Sequence, residues 1–260
     1  MGNGNIGNNT MPGKAASRKG KRQQDLINII ETQGMLPVRS IAAMLNVSEM
    51  TVRRDLEKLR NDGGAAGEQS GQYNLLEAIE HSNHQKEEIG KYAASLIEPN
   101  DVIIIDTGST TARILPYLPE NMNLTILSYN ANVLIELRHK PGIQLLFCGG
   151  NYHLNTEMFE SEEGIAFIRR IRANKAFLSA AGIHRELGIT CANTYEVATK
   201  QAVISSSSQK ILVSDSSKFG RLRSAYFCDL DEIDTIITDH SLPKDWRDEL
   251  SQRKIELHEV

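Results

Sequence analysis

Apolar positions along the chain change period once. From Arg18 to Gln33, Leu26, Ile29 and Ile30 fall at i, i+3 and i+4 among polar residues, the spacing of one helix face, and Gly34 and Pro37 end the run. Val38–Leu45 repeats the pattern through Ile41, Ala42 and Leu45, and Asn46-Val47 makes a short turn. Ser48, whose hydroxyl can accept from an otherwise unpaired N–H, then opens a third helix reaching Arg60. In that helix Val52, Leu56 and Leu59 form a buried stripe at i, i+4 and i+7. Met50, Arg53, Arg54 and Glu57 are left facing outward, with Thr51 and Lys58 at the flanks.

Beyond a polar connection over Leu75–Asn83, a helix through Ile89, Ala93, Leu96 and Ile97 stops at Pro99. Short continuous apolar runs then alternate with helical ones: VIIID, a helix after STTARILPYL, LTILS, ANVLIELRH, IQLLFCGG, KAFLSAAG, TYEVATKQAVISS, KILVSD and TIITD. Runs that are apolar on both faces and separated by helices predict an α/β domain with a largely parallel sheet. Ligands of such domains bind at the carboxyl ends of the strands.

The composition, 260 residues with 40% hydrophobic and 24% charged, fits one or two globular domains and excludes a disordered or fibrous chain. Val102–Ile105 and Leu145–Cys148 are far short of the roughly 20 apolar residues of a membrane helix, so no membrane partner is expected. The opening MGNGNIGNNTMPGKAAS has no apolar core and reads as a flexible leader over residues 1–17, with Met11 an alternative start. Three cysteines without C-x-x-C spacing argue against a disulfide framework or a zinc site. A reducing cytoplasm is the expected compartment, and no cofactor is expected.

The formal charge of −4 argues at first against a nucleic-acid partner. Divided at Asp62, however, the chain carries ten Lys/Arg against six Asp/Glu on one side and nineteen against twenty-seven on the other. A head of +4 precedes a body of −8, so a basic face can meet DNA while the remainder stays acidic.

Two short helices, a tight turn, a Ser cap and adjacent arginines suit a helix that enters the major groove, where arginine forks to guanine or phosphate. Taken alone, Arg53 and Arg54 read more readily as residues that solvate a surface helix. The stretch VRSIAAMLNVSEMTVRRDLEKLRNDGGA resembles the helix-turn-helix of the DeoR family of bacterial transcription regulators, most specifically in its S-x-x-T-V-R-R-D-L core and the D-G-G-A that follows. The resemblance implies a winged helix over residues 18–74 that reads double-stranded operator DNA through Ser48, Met50, Thr51, Arg53, Arg54, Glu57 and Lys58. The expected wing, Gly63–Tyr73, has no Lys or Arg, which shifts binding onto the recognition helix. Lys19, Lys21 and Arg22 are either backbone contacts or a solvated helix end.

Asp106-Thr107-Gly108-Ser109-Thr110-Thr111 follows VIIID and precedes a helix. Gly108 permits close backbone approach, the hydroxyls can donate, and a helix N-terminus favours anions, so the loop suits a phosphate. An ordinary Ser/Thr-capped helix is the plainer alternative. The loop is not a nucleoside-triphosphate motif, because G-x-x-x-x-G-K-[ST] is missing. D-T-G-S-T-T, Gly149-Gly150 and D-S-S-K-F-G (Asp215–Gly220) occur in the order found in DeoR-family effector domains, which implies an α/β domain over residues 84–260 similar to the ribose-5-phosphate isomerase fold. The resemblance implies a phosphorylated sugar as effector, with phosphate on Gly108, Ser109, Thr110 and Thr111, Asp106 facing the sugar, and Ser128, Gly150 and Lys218 bordering the pocket. Glu196 and Lys200 also fall in family-like places, although any such i, i+4 pair alone reads as a solvent-exposed salt bridge. FCGGNYH, AFLSAAGIH with GITCAN, and SKFG resemble the family branch that answers to 2-deoxyribose 5-phosphate, whereas NTYEV at Asn193–Val197 departs from the NLEE-type sequence expected there. His153 and His184 are either pocket contacts or packed surface residues, and Cys191 reads as an inert thiol.

An enzyme is the rival class, because sugar-phosphate isomerases share the fold. Aldose–ketose isomerisation needs a carboxylate to move a proton between adjacent carbons. Where isomerases carry an acid-rich stretch this chain reads SAAGIH, so the expectation is a switch that binds without turnover. Repressor and activator are not separable from sequence. Reading few base pairs with one helix implies a homo-oligomer, a dimer or higher.

Overall fold

The computed structural model describes residues 26, 29, 38–48, 50–52, 75 and 83–260. The chain divides into two units, Met1–Gly71 and Gln72–Val260. In the first, α1 (Val38–Leu45) carries Ile41 and Ala42 into a small apolar cluster with Leu26 and Val52, all buried. Asn46, with φ 51°, turns the chain out of α1 as the sequence leads one to expect. Arg53, Arg54, Glu57, Lys58 and the expected wing lie outside the described residues.

The second unit opens with α2 (Asn83–Ser95) and β1 (Val102–Ile105), followed by a 3₁₀ segment, Thr111–Tyr117. Then come β2 (Leu124–Ser128), α3 (Ala131–Leu137), β3 (Ile143–Phe147), β4 (Asn151–His153), β5 (Met158–Glu160), α4 (Glu162–Arg170) and β6 (Ala173–Leu178). β7 (Gly182–His184), β8 (Gly188–Cys191), α5 (Val197–Ser206), β9 (Ser207–Val213), β10 (Ala225–Cys228), β11 (Thr235–Thr238), α6 (Lys244–Gln252) and β12 (Glu256–Glu259) complete it. Seven strands form a parallel sheet in the order β12-β11-β9-β6-β1-β2-β3.

Period-2 alternation sends successive residues of each central strand into different cores. Ile103, Ile105, Ile126, Phe177, Ile211, Val213 and Ile237 pack with α2, the 3₁₀ segment and α3. Ile104, Leu127, Ala176, Leu178, Leu212 and Ile236 pack with α4, α5 and α6. Burial on both faces explains why these runs read as continuously apolar.

Three features differ from expectation. The helix expected after STT is a 3₁₀ segment of 7 residues with Pro116 inside it, whose missing N–H and fixed φ discourage a longer α-helix. Leu75, expected to begin a polar linker, is 1% exposed and belongs to the second unit. A small antiparallel sheet, β10-β8-β7, and the β4–β5 hairpin lie outside the expected alternation.

Candidate functional site

In the first unit, the Ser48 hydroxyl accepts from the Thr51 N–H at 3.2 Å and meets the Thr51 hydroxyl at 2.8 Å, so Ser48 caps the helix that follows. Val52 is turned inward with 0% exposure and Met50 outward with 67%, the division that the apolar stripe requires.

In the second unit the residue following β1 organises the strand ends. Asp106 is buried, and its Oδ1 accepts from the Thr107 N–H at 2.8 Å and from the Tyr129 hydroxyl. Its Oδ2 accepts from the Ser179 N–H at 2.9 Å and from Lys200 Nζ, the latter as an ion pair with both side chains enclosed. Lys200 also donates to the Ser179 carbonyl at 3.2 Å and lies 5.1 Å from the centroid of the Phe227 ring. Burial alone would lower the Lys200 pKa, but Asp106 and Glu196 outweigh it and raise it, so the ammonium stays charged. Burial, then the Asp106 charge, pushes the Tyr129 phenol well up and keeps it a donor.

Glu196 and Lys200 are therefore not a solvent-exposed pair: they are 5% and 1% exposed and neighbour Asp106. The Glu196 carboxylate accepts from both the N–H and the side-chain amide of Asn193 at 2.9 Å, and burial raises its pKa against the pull of Lys200 and these hydrogen bonds.

Gly108 has φ +154°, and a Cβ there would stand 2.6 Å from Ser179 Cβ, so the loop lies against the chain end of β6. The Ser179 hydroxyl donates to the Thr107 carbonyl at 2.6 Å and the Thr111 hydroxyl to the Gly108 carbonyl at 2.9 Å. Ser109 and Thr110 are buried, and Thr110 makes no side-chain cap, which leaves the plain capped-helix alternative without its hydrogen bond. Ser128 is fully buried with its hydroxyl donating to the Ile105 carbonyl at 2.8 Å, an inter-strand tie at the end of β2.

Gly150 follows β3. It packs against the main chain of Glu160 and lines an open groove of about 390 Å³ with Phe147, Gly149, Glu163 and Phe167. Lys218 ends a short 3₁₀ turn, Ser216–Lys218, held by Asp215 accepting from the Ser217 N–H at 3.1 Å and by Asp239 accepting from the Ser216 N–H at 2.7 Å.

The family model of the DeoR-like helix-turn-helix domain matches residues 22–66, and that of the DeoR C terminal sensor domain matches residues 81–240. The chain belongs to the DeoR family. Among relatives of this DeoR-family protein, the deoxyribose operon repressor of Escherichia coli strain K12 is 31% identical over 86% of this chain and 91% of its own. The transcriptional regulator IolR of Bacillus subtilis strain 168 is 28% identical over 91% of this chain and 98% of its own. Among solved structures, ribose 5-phosphate isomerase A from Methanocaldococcus jannaschii aligns over 53% of this chain and 54% of its own, at 15% identity and a TM-score of 0.40.

Several members of the Asp106 network escaped the sequence reading. Tyr129 and Asn130 follow LTILS directly but look like ordinary loop residues, and Ser179 sits in the very stretch read for its lack of a carboxylate. Asn130 Nδ2 donates to the Thr107 hydroxyl at 2.8 Å and to the Thr156 carbonyl at 3.0 Å. His153 stacks on Tyr195 with ring centroids 3.6 Å apart. His184 accepts from the N–H groups of Glu186 and Leu187 at the tip of the β7–β8 hairpin. Cys191 is buried and its thiol is pushed up to about 12 by burial, in keeping with an inert residue. Among the described residues, no helix is long and apolar enough to cross a membrane.

Proposed function

We propose that this DeoR-family protein is a repressor of an operon for sugar or deoxynucleoside catabolism, released from operator DNA by a phosphorylated sugar, with 2-deoxyribose 5-phosphate the best candidate. The observation that carries the reading is a likeness to a deoxyribose operon repressor at 31% identity that runs over 86% of this chain, helix-turn-helix and sensor alike. On this reading Met50, Thr51, Arg53, Arg54, Glu57 and Lys58 meet the DNA from a helix that Ser48 caps. The phosphate lies on Gly108–Thr111 with Lys218 as a cation.

Asp106 has a different part from the one its sequence position suggests. Its carboxylate oxygens already accept from Thr107, Tyr129, Ser179 and Lys200, so it fixes the loop from beneath, with Lys200 and Glu196, rather than meeting the sugar. Reading DNA through a single helix calls for a homo-oligomer, a dimer or higher, and a cytoplasmic location follows from the role.

Gel-shift titration of the full-length protein on its own promoter region tests the reading, with a panel of pentose, deoxypentose and hexose phosphates. 2-Deoxyribose 5-phosphate is expected to release the DNA at the lowest concentration. Replacing Arg53 and Arg54 with Ala is expected to abolish operator binding and leave sugar-phosphate binding intact. A response to no phosphorylated sugar would overturn the effector assignment.

A further inference from the structure

Helix α4 carries charges that its own fold leaves unanswered. Glu162 and Glu163 fill its first turn and Arg169 and Arg170 its last, and all four are exposed. At about 1.5 Å of rise per residue the two ends stand roughly 10 Å apart, beyond the i, i+3 and i+4 spacings at which side chains of one helix meet. Among the described residues, none of these four side chains is engaged in an ion pair or a hydrogen bond. The helix dipole favours acid before base in any helix, but it does not call for the apolar strip that lies between them here. Ala166 and Phe167 are exposed at the middle of α4, Phe167 by 37%.

Phe167 also borders the open groove at the end of β3, together with Phe147. The Phe147 ring meets that of Phe159 edge-on at 5.5 Å, and Phe159 meets Tyr152, itself 46% exposed, at 5.1 Å. An aromatic strip thus runs from α4 to the β4–β5 hairpin. It adjoins the last strand of the sheet. Within the second unit β3 is paired only with β2, and its sequence IQLLF holds none of the charged residues that usually guard an open edge. Aromatic side chains and a shortage of charge mark the centre of protein–protein contacts.

The arrangement of charge names the occupant. Glu162 and Glu163 precede Ala166 by four and three residues, and Arg169 and Arg170 follow it by three and four, so all five lie on one helix face with Ala166 at its middle. Turning α4 over about a two-fold axis at Ala166 sets each acidic turn beside the other copy's basic turn. In a two-fold contact the same patch serves both copies, and residue i meets j as j meets i. A small residue at the crossing point lets two helices approach closely. A different protein would not require the charges to be centred on themselves.

We propose that α4 and the aromatic groove beside it form a two-fold contact with a second copy of this chain, the two α4 helices crossing antiparallel at Ala166 with Glu162 and Glu163 against Arg169 and Arg170. The inference rests on the homo-oligomer of the reading above and names the face that joins its subunits.

Sedimentation of the full-length protein measures the association. Reversing one end, as Glu162→Arg with Glu163→Arg or as Arg169→Glu with Arg170→Glu, places like charges opposite each other, and each variant is expected to raise the dissociation constant about tenfold or more. An equimolar mixture of the two reversed proteins is expected to regain wild-type association, because each then meets its complement, a rescue that damage to either fold would not give. Ala166→Glu, at an exposed site away from the helix ends, is expected to weaken the contact as well, and it decides the matter if a reversed variant does not fold. Unchanged association of Ala166→Glu and of the folded reversed proteins overturns the contact and leaves the homo-oligomer standing. Weakened association of both reversed proteins with no rescue in the mixture also overturns it. A wild-type chain that stays monomeric removes the contact and the homo-oligomer together.

Discussion

The main-chain N–H of Leu75 donates to the carbonyl of Asn155 at 2.7 Å. The Asn155 side chain accepts from the Tyr195 hydroxyl at 2.8 Å and donates to Asn193 at 3.4 Å, and Asn193 in turn holds Glu196. On its other side, the Thr156 carbonyl accepts from Thr107 and Asn130 at the end of β1 and β2. The start of the sensor unit is thus tied to the turn that braces the proposed effector loop. Allosteric coupling is typically worth about 1–3 kcal/mol. Asn155→Ala and Tyr195→Phe are each expected to leave operator affinity and sugar-phosphate affinity near wild type while reducing the effect of one on the other several-fold. Gel shifts with and without ligand, beside direct ligand titration, measure all three quantities, and unchanged coupling would show that the signal bypasses this turn.

The Asp106–Lys200 pair offers a second test. Removing one partner of an enclosed ion pair leaves an uncompensated charge, at a cost of about 3–5 kcal/mol. Asp106→Asn and Lys200→Met are each expected to destabilise the sensor unit by that order. The double variant is expected to be more stable than the sum of the two losses implies. Urea denaturation supplies the cycle, and simple additivity would mean the two side chains act separately.

Gly108→Ala places a methyl group against Ser179 in a backbone conformation that L residues rarely adopt. The expected loss is about 1–3 kcal/mol, visible as a lower melting temperature, together with a weakened response to phosphorylated sugars. A variant that melts and responds like wild type would show that the loop rearranges freely.

Stability should also respond to Lys86 in alkaline solution. Burial lowers its folded-state pKa from the ordinary lysine value of 10.5 to about 8, so between these limits the unfolded chain binds more protons and stability rises with pH. The slope contributed is at most about 1.4 kcal/mol per pH unit. Burial raises Cys148 to about 11 and Cys191 to about 12, and these thiols act in the opposite sense above pH 9. The informative quantity is therefore the difference between wild type and Lys86→Met in phosphate-free buffer over pH 7.5–9.5. A difference that does not change with pH would contradict the burial of a charged amine at this position.

Much of the architecture is legible in the sequence because each central strand is buried on both faces. VIIID, LTILS and TIITD cannot alternate with polar residues when successive side chains enter two different cores. The Ser48 cap is equally legible, since its hydroxyl and the Thr51 N–H lie three residues apart in one turn. Less legible is whatever depends on non-local pairing. Glu196 and Lys200 match a surface salt bridge in spacing, and only the approach of Asp106, 94 residues away, makes Lys200 an interior charge. Lys86 gives no local signal, because two of the charges that act on it, Asp215 and Lys218, lie more than a hundred residues downstream.

Four donor groups converge on the Asp106 carboxylate, from Thr107, Tyr129, the Ser179 N–H and Lys200. Such a node has no lone pair to give to a ligand, but it makes the strand end rigid in a way that does not depend on which ligand is recognised. On the proposed reading, recognition falls to the groups that this frame carries, Ser109 and Thr110 among them, while the foundation beneath them holds its shape whatever they meet.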